Sequence, residues 1–120
     1  MVKSNVERGD EKMIKESKIF EFHVSKNELE IIPVGEIDHH SAVEIRKKAD
    51  ELIKEHKSRK VVLNLCKITF MDSSGLGFIM GRYALAEKLG LLFAIRNPTP
   101  AVIKICKLAG LDRKIKFEEK

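Results

Sequence analysis

Two adjacent serines, Ser73 and Ser74, are the hydroxyl groups of this chain best placed for chemistry. They lie in the run Phe70-Met71-Asp72-Ser73-Ser74-Gly75-Leu76-Gly77, between an apolar segment at 61–65 and an amphipathic one. That pattern predicts the junction of a buried strand and a helix. Ser and Asp at a helix start accept hydrogen bonds from otherwise unpaired N–H groups. Because a helix start also favours negative charge, either serine could be a cap or a phosphorylation site.

A serine hydrolase is the first alternative for this serine pair, and the sequence disfavours it. The nucleophile elbow G-x-S-x-G needs a glycine two residues before the serine, and Met71 or Asp72 occupies that position. The histidines show no spacing that indicates a general base: His23, His39, His40 and His56. We therefore expect a protein without catalytic residues, not an enzyme.

Three glycines in the same region raise a second alternative, a nucleotide-binding loop. Gly75, Gly77 and Gly81 have the spacing G-x-G-x-x-x-G. That spacing is one residue off the dinucleotide pattern, and no convincing acidic residue follows about 20 positions on. Close packing of the helix backbone against the sheet or a partner explains the glycines better. We expect no cofactor, and nucleotide binding stays open as an alternative.

A second polar segment, Gly35-Glu36-Ile37-Asp38-His39-His40, places two carboxylates and two imidazoles within a few residues of each other. Adjacent histidines seldom reach the same ion and no second cluster accompanies them, so we expect no metal site. The segment follows a predicted strand, and a polar loop is the simpler interpretation. Ligands gather at the carboxyl ends of strands in open α/β sheets, which makes this loop a candidate binding surface.

The remaining pattern alternates strands with helices. Strands are predicted at 19–24, 29–34, 61–65, 91–95 and 115–117. A first helix is predicted from Ser41, and the residues on its inner face are Ala42, Ile45, Ala49, Leu52 and Ile53. A second helix is predicted from the serine pair to Gly90, and the residues on its inner face are Leu76, Ile79, Met80, Tyr83 and Leu89. A third helix is predicted from Pro100 to Ala109. The order indicates an α/β fold: a mostly parallel sheet of about five strands, with an antiparallel edge strand and helices packed on it.

Composition limits the function further. The chain has 120 residues, 43% of them apolar, which suits one domain with a hydrophobic core. Residues 1–17 are polar and are interpreted as a flexible or adaptable extension, with a short helix at 11–16 as the alternative. We expect Cys66 and Cys106 to be buried free thiols. With no membrane-length apolar run and no signal peptide, the chain is expected to be soluble and cytoplasmic.

The charge pattern argues against a nucleic-acid partner. The formal net charge is +5 and the sequence pI is about 9.2. Basic residues are nevertheless scattered among 18 acidic ones, and few aromatic side chains are available to stack on bases. A solvated surface of mixed charge is the better account. We expect neither nucleic acid nor a membrane as partner.

Three separated motifs resemble the STAS domain, and more narrowly the bacterial anti-sigma factor antagonists. They are 71–77 followed by Gly81-Arg82-Tyr83; the polar segment at 35–40; and Asn97-Pro98-Thr99-Pro100-Ala101-Val102 followed by Leu108-Ala109-Gly110-Leu111. Three motifs at compatible spacing are far less probable by chance than one. The resemblance implies a STAS domain at 18–120 after the extension at 1–17.

The same resemblance implies a function. In that family the unphosphorylated antagonist binds an anti-sigma factor that is itself a serine kinase, and the sigma factor is released for transcription. Phosphorylation of the serine after the aspartate, here Ser73 with Ser74 as the second choice, ends the interaction until a PP2C-type phosphatase removes the phosphate. The alternative is a STAS domain of another signalling complex.

The partner surface implied by the resemblance combines the two polar segments: Gly35, Glu36, Asp38, His39, Asp72, Ser74, Gly75 and Leu76. A change of Asp38 to alanine is expected to weaken partner binding and to leave the thermal midpoint nearly unchanged.

Overall fold

Strands and helices alternate along the chain in the computed structural model, which describes residues 5–6, 13–16 and 19–119. The strands are β1 Asn5–Val6, β2 Met13–Glu16, β3 Phe20–Val24, β4 Glu28–Pro33, β5 Gly35–Ile37, β6 Lys60–Asn64, β7 Ile68–Met71, β8 Leu92–Arg96 and β9 Lys116–Glu118. The helices are α1 His39–His56, α2 Ser73–Lys88 and α3 Pro100–Leu108, and a 3-10 turn spans Leu111–Arg113.

The main sheet has the strand order β1-β2-β3-β4-β6-β8-β9. Strands β4, β6, β8 and β9 run parallel, whereas β3 pairs antiparallel with β4. The predicted mixed α/β sheet is therefore confirmed, with β1 and β2 adding two antiparallel strands beyond β3. The alternative of a helix at 11–16 is wrong for Met13–Glu16, which is a strand. Apart from β1, the other residues of the extension lie outside the described residues.

One face of the sheet packs against the helices and forms the core. Alternate residues of each strand point to this face, as the two-residue period of a strand requires. They include Leu29, Ile31, Val61, Leu63 and Ile95, all at most 1% exposed. The predicted inner face of α1 is confirmed in full, since Ala42, Ile45, Ala49, Leu52 and Ile53 are all buried.

The opposite face of the sheet carries a buried charged cluster that the sequence did not predict. Arg96 is 3% exposed and donates hydrogen bonds to Glu28 at 2.8 and 3.0 Å, to Glu118 at 2.6 Å and to Glu30 at 3.2 Å. Hydrogen bonding, first of all with Glu28, raises the pKa of Arg96. The cluster ties β4 to β8 and β9, so it supports this arrangement of strands more than it adds net stability.

Helix α2 presents a different face from the predicted one. Its buried residues are Gly75, Phe78, Ile79, Arg82 and Ala86, so of the predicted inner face only Ile79 is fully buried. Met80 and Leu89 are 48% and 46% exposed. The apolar residues of α2 encircle much of the helix, and the core positions include a glycine and an arginine, which hides the inner face from a search for apolar periodicity.

The two cysteines differ in environment. Cys106 is buried as predicted, and burial raises the pKa of its thiol to about 11. Cys66 is exposed, so the prediction of a buried thiol is wrong there. It lies in the turn between β6 and β7, just after the buried Leu65.

Gly75 allows α2 to begin close to β7. A Cβ atom at this position would overlap Cγ and Sδ of Met71, which is itself 4% exposed. At Gly77 and Gly81 an added Cβ would meet no atom within 4 Å. Close packing within the chain thus explains the first glycine and not the other two.

The variant Gly75→Ala should therefore lower the free energy of unfolding by about 1–3 kcal/mol, because the new methyl must displace Met71 from a packed site. Gly81→Ala is the matched control in the same helix, and it should be neutral or stabilising by up to about 1 kcal/mol through higher helix propensity. Urea denaturation of both variants measures the difference. Equal effects of the two substitutions would contradict the packing role of Gly75.

Candidate functional site

Two short parallel strands, β5 and β7, lie beside the main sheet and position the site. Their register pairs Glu36 with Phe70 and Ile37 with Met71. The sequence predicted a loop at the first segment and no element at the second, so both strands correct the prediction. Each strand is followed at once by an aspartate that begins a helix, Asp38 before α1 and Asp72 before α2.

The pairing continues one residue further, because the Asp72 N–H donates to the Ile37 carbonyl at 3.3 Å. Both helices consequently start from the same edge of this small sheet. The two polar segments singled out in the sequence are thus brought together, although about 30 residues of chain separate them. The entropic cost of closing a loop grows only slowly with its length, so this separation adds little free energy compared with a shorter connection.

Asp38 is the N-cap of α1. Its Oδ1 accepts hydrogen bonds from the backbone N–H groups of His40 at 3.0 Å and Ser41 at 2.9 Å. Ser41 completes a capping box, since its Oγ accepts from the Asp38 N–H at 3.1 Å. The predicted start of this helix at Ser41 is corrected, since the helix begins at His39 with Asp38 as its cap. Hydrogen bonding, first from the Ser41 backbone, lowers the pKa of Asp38 below its ordinary value.

Asp72 is the N-cap of α2, so neither serine is needed to cap this helix. Its Oδ1 accepts from the Ser74 N–H at 2.8 Å, and its carbonyl accepts from the Gly75 N–H at 2.9 Å. Ser73 and Ser74 are the first two residues of the helix. Among the described residues neither hydroxyl has a hydrogen-bond partner. Ser73 is exposed and Ser74 half-buried, which distinguishes the two neighbours that counting residues could not.

The other residues of the implied partner surface have varied environments. Glu36 and His39 are exposed, Gly35 and Leu76 are half-buried, and Gly75 is buried. Leu76 packs partly against the core. The exposed part of the site therefore consists of the two helix starts and the ends of β5 and β7, while Gly75 contributes by letting those elements approach.

A groove runs between α1 and α2 beside these helix starts, with a volume of about 230 Å³. We refer to it as the α1–α2 groove, lined by His39, Ala42, Val43, Arg46, Ser74, Gly77 and Phe78. An ion pair between α1 and α2, not expected from the sequence, joins the buried Arg82 to the half-buried Asp50, with Arg82 Nε 2.7 Å from Asp50 Oδ1. The Arg82 guanidinium also lies 5.3 Å from the centroid of the Phe78 ring. The four-residue spacing of Phe78 and Arg82 was the signal in the sequence that could have indicated their contact on one face of α2.

The glycines offer no phosphate-binding loop, because Gly75, Gly77 and Gly81 all lie within α2. The part of the chain that the structure describes contains no group of three or more His, Cys, Asp or Glu side chains positioned to hold a metal ion. In those same residues no helix is both long and apolar enough to cross a membrane.

The architecture defines a class: an α/β domain in which an exposed serine opens a helix at the edge of two paired parallel strands. The STAS domain model matches residues 20–120, and the chain belongs to this family. It is 40% identical over 77 residues to the anti-sigma F factor antagonist of Paenibacillus polymyxa, covering 64% of this chain and 66% of that protein.

A second relative, the anti-sigma-B factor antagonist of Bacillus subtilis, is 28% identical over 87 residues, which cover 72% of this chain and 78% of that one. The match to the Paenibacillus protein spans just under two thirds of its length. Among solved structures, the anti-sigma factor antagonist SpoIIAA in its unphosphorylated form superposes with a TM-score of 0.71 at 30% identity, covering 82% of this chain and 86% of that one. Phosphorylated SpoIIAA from Bacillus superposes with a TM-score of 0.66 at 29% identity, covering 82% and 89%.

The cap at Asp38 changes the stability expected of its variants. Asp38→Ala should lower the thermal midpoint, in contrast to the negligible effect expected from the sequence, because it removes two hydrogen bonds to the helix start. Asp38→Asn should retain most of the midpoint, since asparagine caps about as well as aspartate.

The contribution of Asp38 should also depend on pH. Its pKa in the folded state lies below the ordinary value of 3.8, so the ionised form stabilises the fold above that value. This stabilisation is lost as the pH falls through the lower, folded-state pKa. Thermal melts from neutral to strongly acidic pH should show the difference between wild type and Asp38→Ala shrinking only at the acidic end. A difference that grows on acidification would contradict the cap.

Proposed function

We propose that this chain is an anti-sigma factor antagonist, a protein-binding module switched by phosphorylation of Ser73. In this proposal the unphosphorylated chain binds an anti-sigma factor serine kinase in the cytoplasm, and the sigma factor is released. The kinase then phosphorylates Ser73, which ends the interaction, and a PP2C-type phosphatase restores it. The chain acts as substrate and ligand and carries out no catalysis of its own.

One observation carries the proposal: the Ser73 hydroxyl is exposed at the start of α2, while Asp72 supplies the cap. A serine needed as a cap would have its oxygen occupied by the helix, and modification would compete with the fold. Here the structural task and the modifiable hydroxyl belong to different residues. The relatives named as anti-sigma factor antagonists support the proposed class of function.

The electrostatics of the position favour a switch that leaves the fold intact. A phosphate on serine adds about −1.5 to −2 charges at neutral pH. The start of a helix stabilises nearby negative charge, so α2 itself compensates part of that addition. SpoIIAA has been solved both unphosphorylated and phosphorylated, and this chain superposes on both forms. Phosphorylation would thus change the surface offered to a partner and preserve the architecture.

The proposed partner surface comprises both helix starts: Gly35, Glu36, Asp38, His39, Asp72, Ser74, Gly75 and Leu76. The parallel pairing of β5 with β7 supports it, because this pairing sets the two segments side by side. Both capping bonds of Asp38 use Oδ1. Among the described residues its other carboxylate oxygen has no hydrogen-bond donor, so Asp38 can serve the helix and a partner at once.

Phosphorylation in vitro tests the assignment of the serine. The P. polymyxa anti-sigma F factor, the partner implied by the name of that relative, is incubated with ATP and with wild type, Ser73→Ala or Ser74→Ala. Mass spectrometry should locate phosphate on Ser73, Ser74→Ala should still be modified, and Ser73→Ala should not. Ser73→Ala should also change the free energy of unfolding by no more than about 0.5 kcal/mol, because its hydroxyl caps nothing. Phosphate on Ser74 or Thr99 would overturn the assignment.

A further inference from the structure

Arg46 gives the lining of the α1–α2 groove a positive charge, and none of the lining residues is acidic. Arg46 is exposed, and no acidic side chain of the described residues forms an ion pair with it. Arg82, four residues after Phe78 of the lining, is 4% exposed and has Asp50 as its ion-pair partner. Asp50 is thus engaged by Arg82, whereas Arg46 has no carboxylate partner among the described residues.

The buried guanidinium of Arg82 is repelled by the positive charge of Arg46. Burial lowers the pKa of Arg82; attraction by Asp50 opposes that effect, while repulsion by Arg46 adds to it. In addition, Arg82 Nη1 is buried without a hydrogen-bond partner among the described residues. A buried donor without a partner is unfavourable. An incoming negative group near Arg46 would separately offset the repulsion between the two arginines.

The walls of the groove complement an apolar group beside that charge. Phe78 and Ala42 are buried at its base, 2% and 9% exposed, whereas Val43 at the rim is 53% exposed. A partner segment with an apolar side chain next to an aspartate or glutamate would cover the exposed valine and pair with Arg46.

The groove is continuous with the proposed phosphorylation site, because Ser74 lines it and Ser73 is the preceding residue. A phosphate at Ser73 would introduce its negative charge at the edge of the same groove. It would repel a partner carboxylate and offer Arg46 a competing anion. Arg46 would therefore attract both the partner carboxylate and the phosphate on Ser73.

We propose that the α1–α2 groove receives an acidic, partly apolar segment of the anti-sigma factor kinase, with Arg46 pairing to its carboxylate, and that phosphoserine displaces the segment by competing for Arg46. This inference rests on the proposed function and adds to it both the chemistry of the partner segment and the residue that couples phosphorylation to release. Arg46 would then set the specificity for the partner and the size of the switch.

The test compares Arg46→Gln with Lys47→Gln, which removes the same charge from the neighbouring, exposed position of α1 outside the groove. The P. polymyxa anti-sigma F factor in its ADP state is titrated with wild type and both variants, each unmodified and phosphorylated. Arg46→Gln should weaken binding of the unmodified chain at least about tenfold, and Lys47→Gln less than about threefold. The ratio of affinities between the two phosphorylation states should also narrow in Arg46→Gln alone.

Circular dichroism and thermal midpoints of both variants should match wild type, since both side chains are exposed. If wild type binds and is switched by phosphate while Arg46→Gln behaves like wild type, or Lys47→Gln loses as much as Arg46→Gln, the groove is not the docking site although the proposed function stands. If unmodified wild type fails to bind, or binds equally when phosphorylated, the proposed function fails, and the assignment of the groove with it.

Discussion

The parallel pairing of β5 with β7 is the constraint on which the site depends. Both strands are very short, three and four residues, and their register places Ile37 beside Met71. Each strand is followed by an aspartate that caps a helix, so a single register positions two helix starts together. The ladder thus aligns the two polar segments at one edge, beside the groove between α1 and α2.

A second feature of the site is that different neighbouring polar residues cap the helices and present the exposed hydroxyl. Helix starts require oxygen acceptors, and a run of Asp-Ser-Ser could meet that need in several ways. Asp72 meets it at α2, and Asp38 with Ser41 meets it at α1. Ser73 is then the exposed hydroxyl that the fold does not use. The same physics that attracts an aspartate to a helix start also allows a phosphate there, which makes this corner suitable for a reversible change of charge.

Local patterns predicted much of the fold. The inner face of α1 and the start of α3 at Pro100 depend on residues close in sequence, and both are as expected. Interactions between distant residues were not predictable in this way. Strands as short as β5 and β7 have too few residues to show a period, and Arg96 bonds to glutamates up to 68 positions away. On α1, Asp38 and Ser41 are both good caps, and the choice between them follows from where β5 ends.

Phosphorylation of Ser73 is proposed to change a binding surface without changing the fold. The most direct test of this proposal is the amide NMR spectrum of the chain, unmodified and phosphorylated on Ser73, each titrated with the P. polymyxa anti-sigma F factor in its ADP state. We expect phosphorylation alone to move only amides near the two helix starts, at 35–46 and 70–80. The unmodified chain should then respond to the partner at those amides, and the phosphorylated chain should not. An identical response of both forms to the partner, or changes throughout the sheet on phosphorylation, would contradict the account.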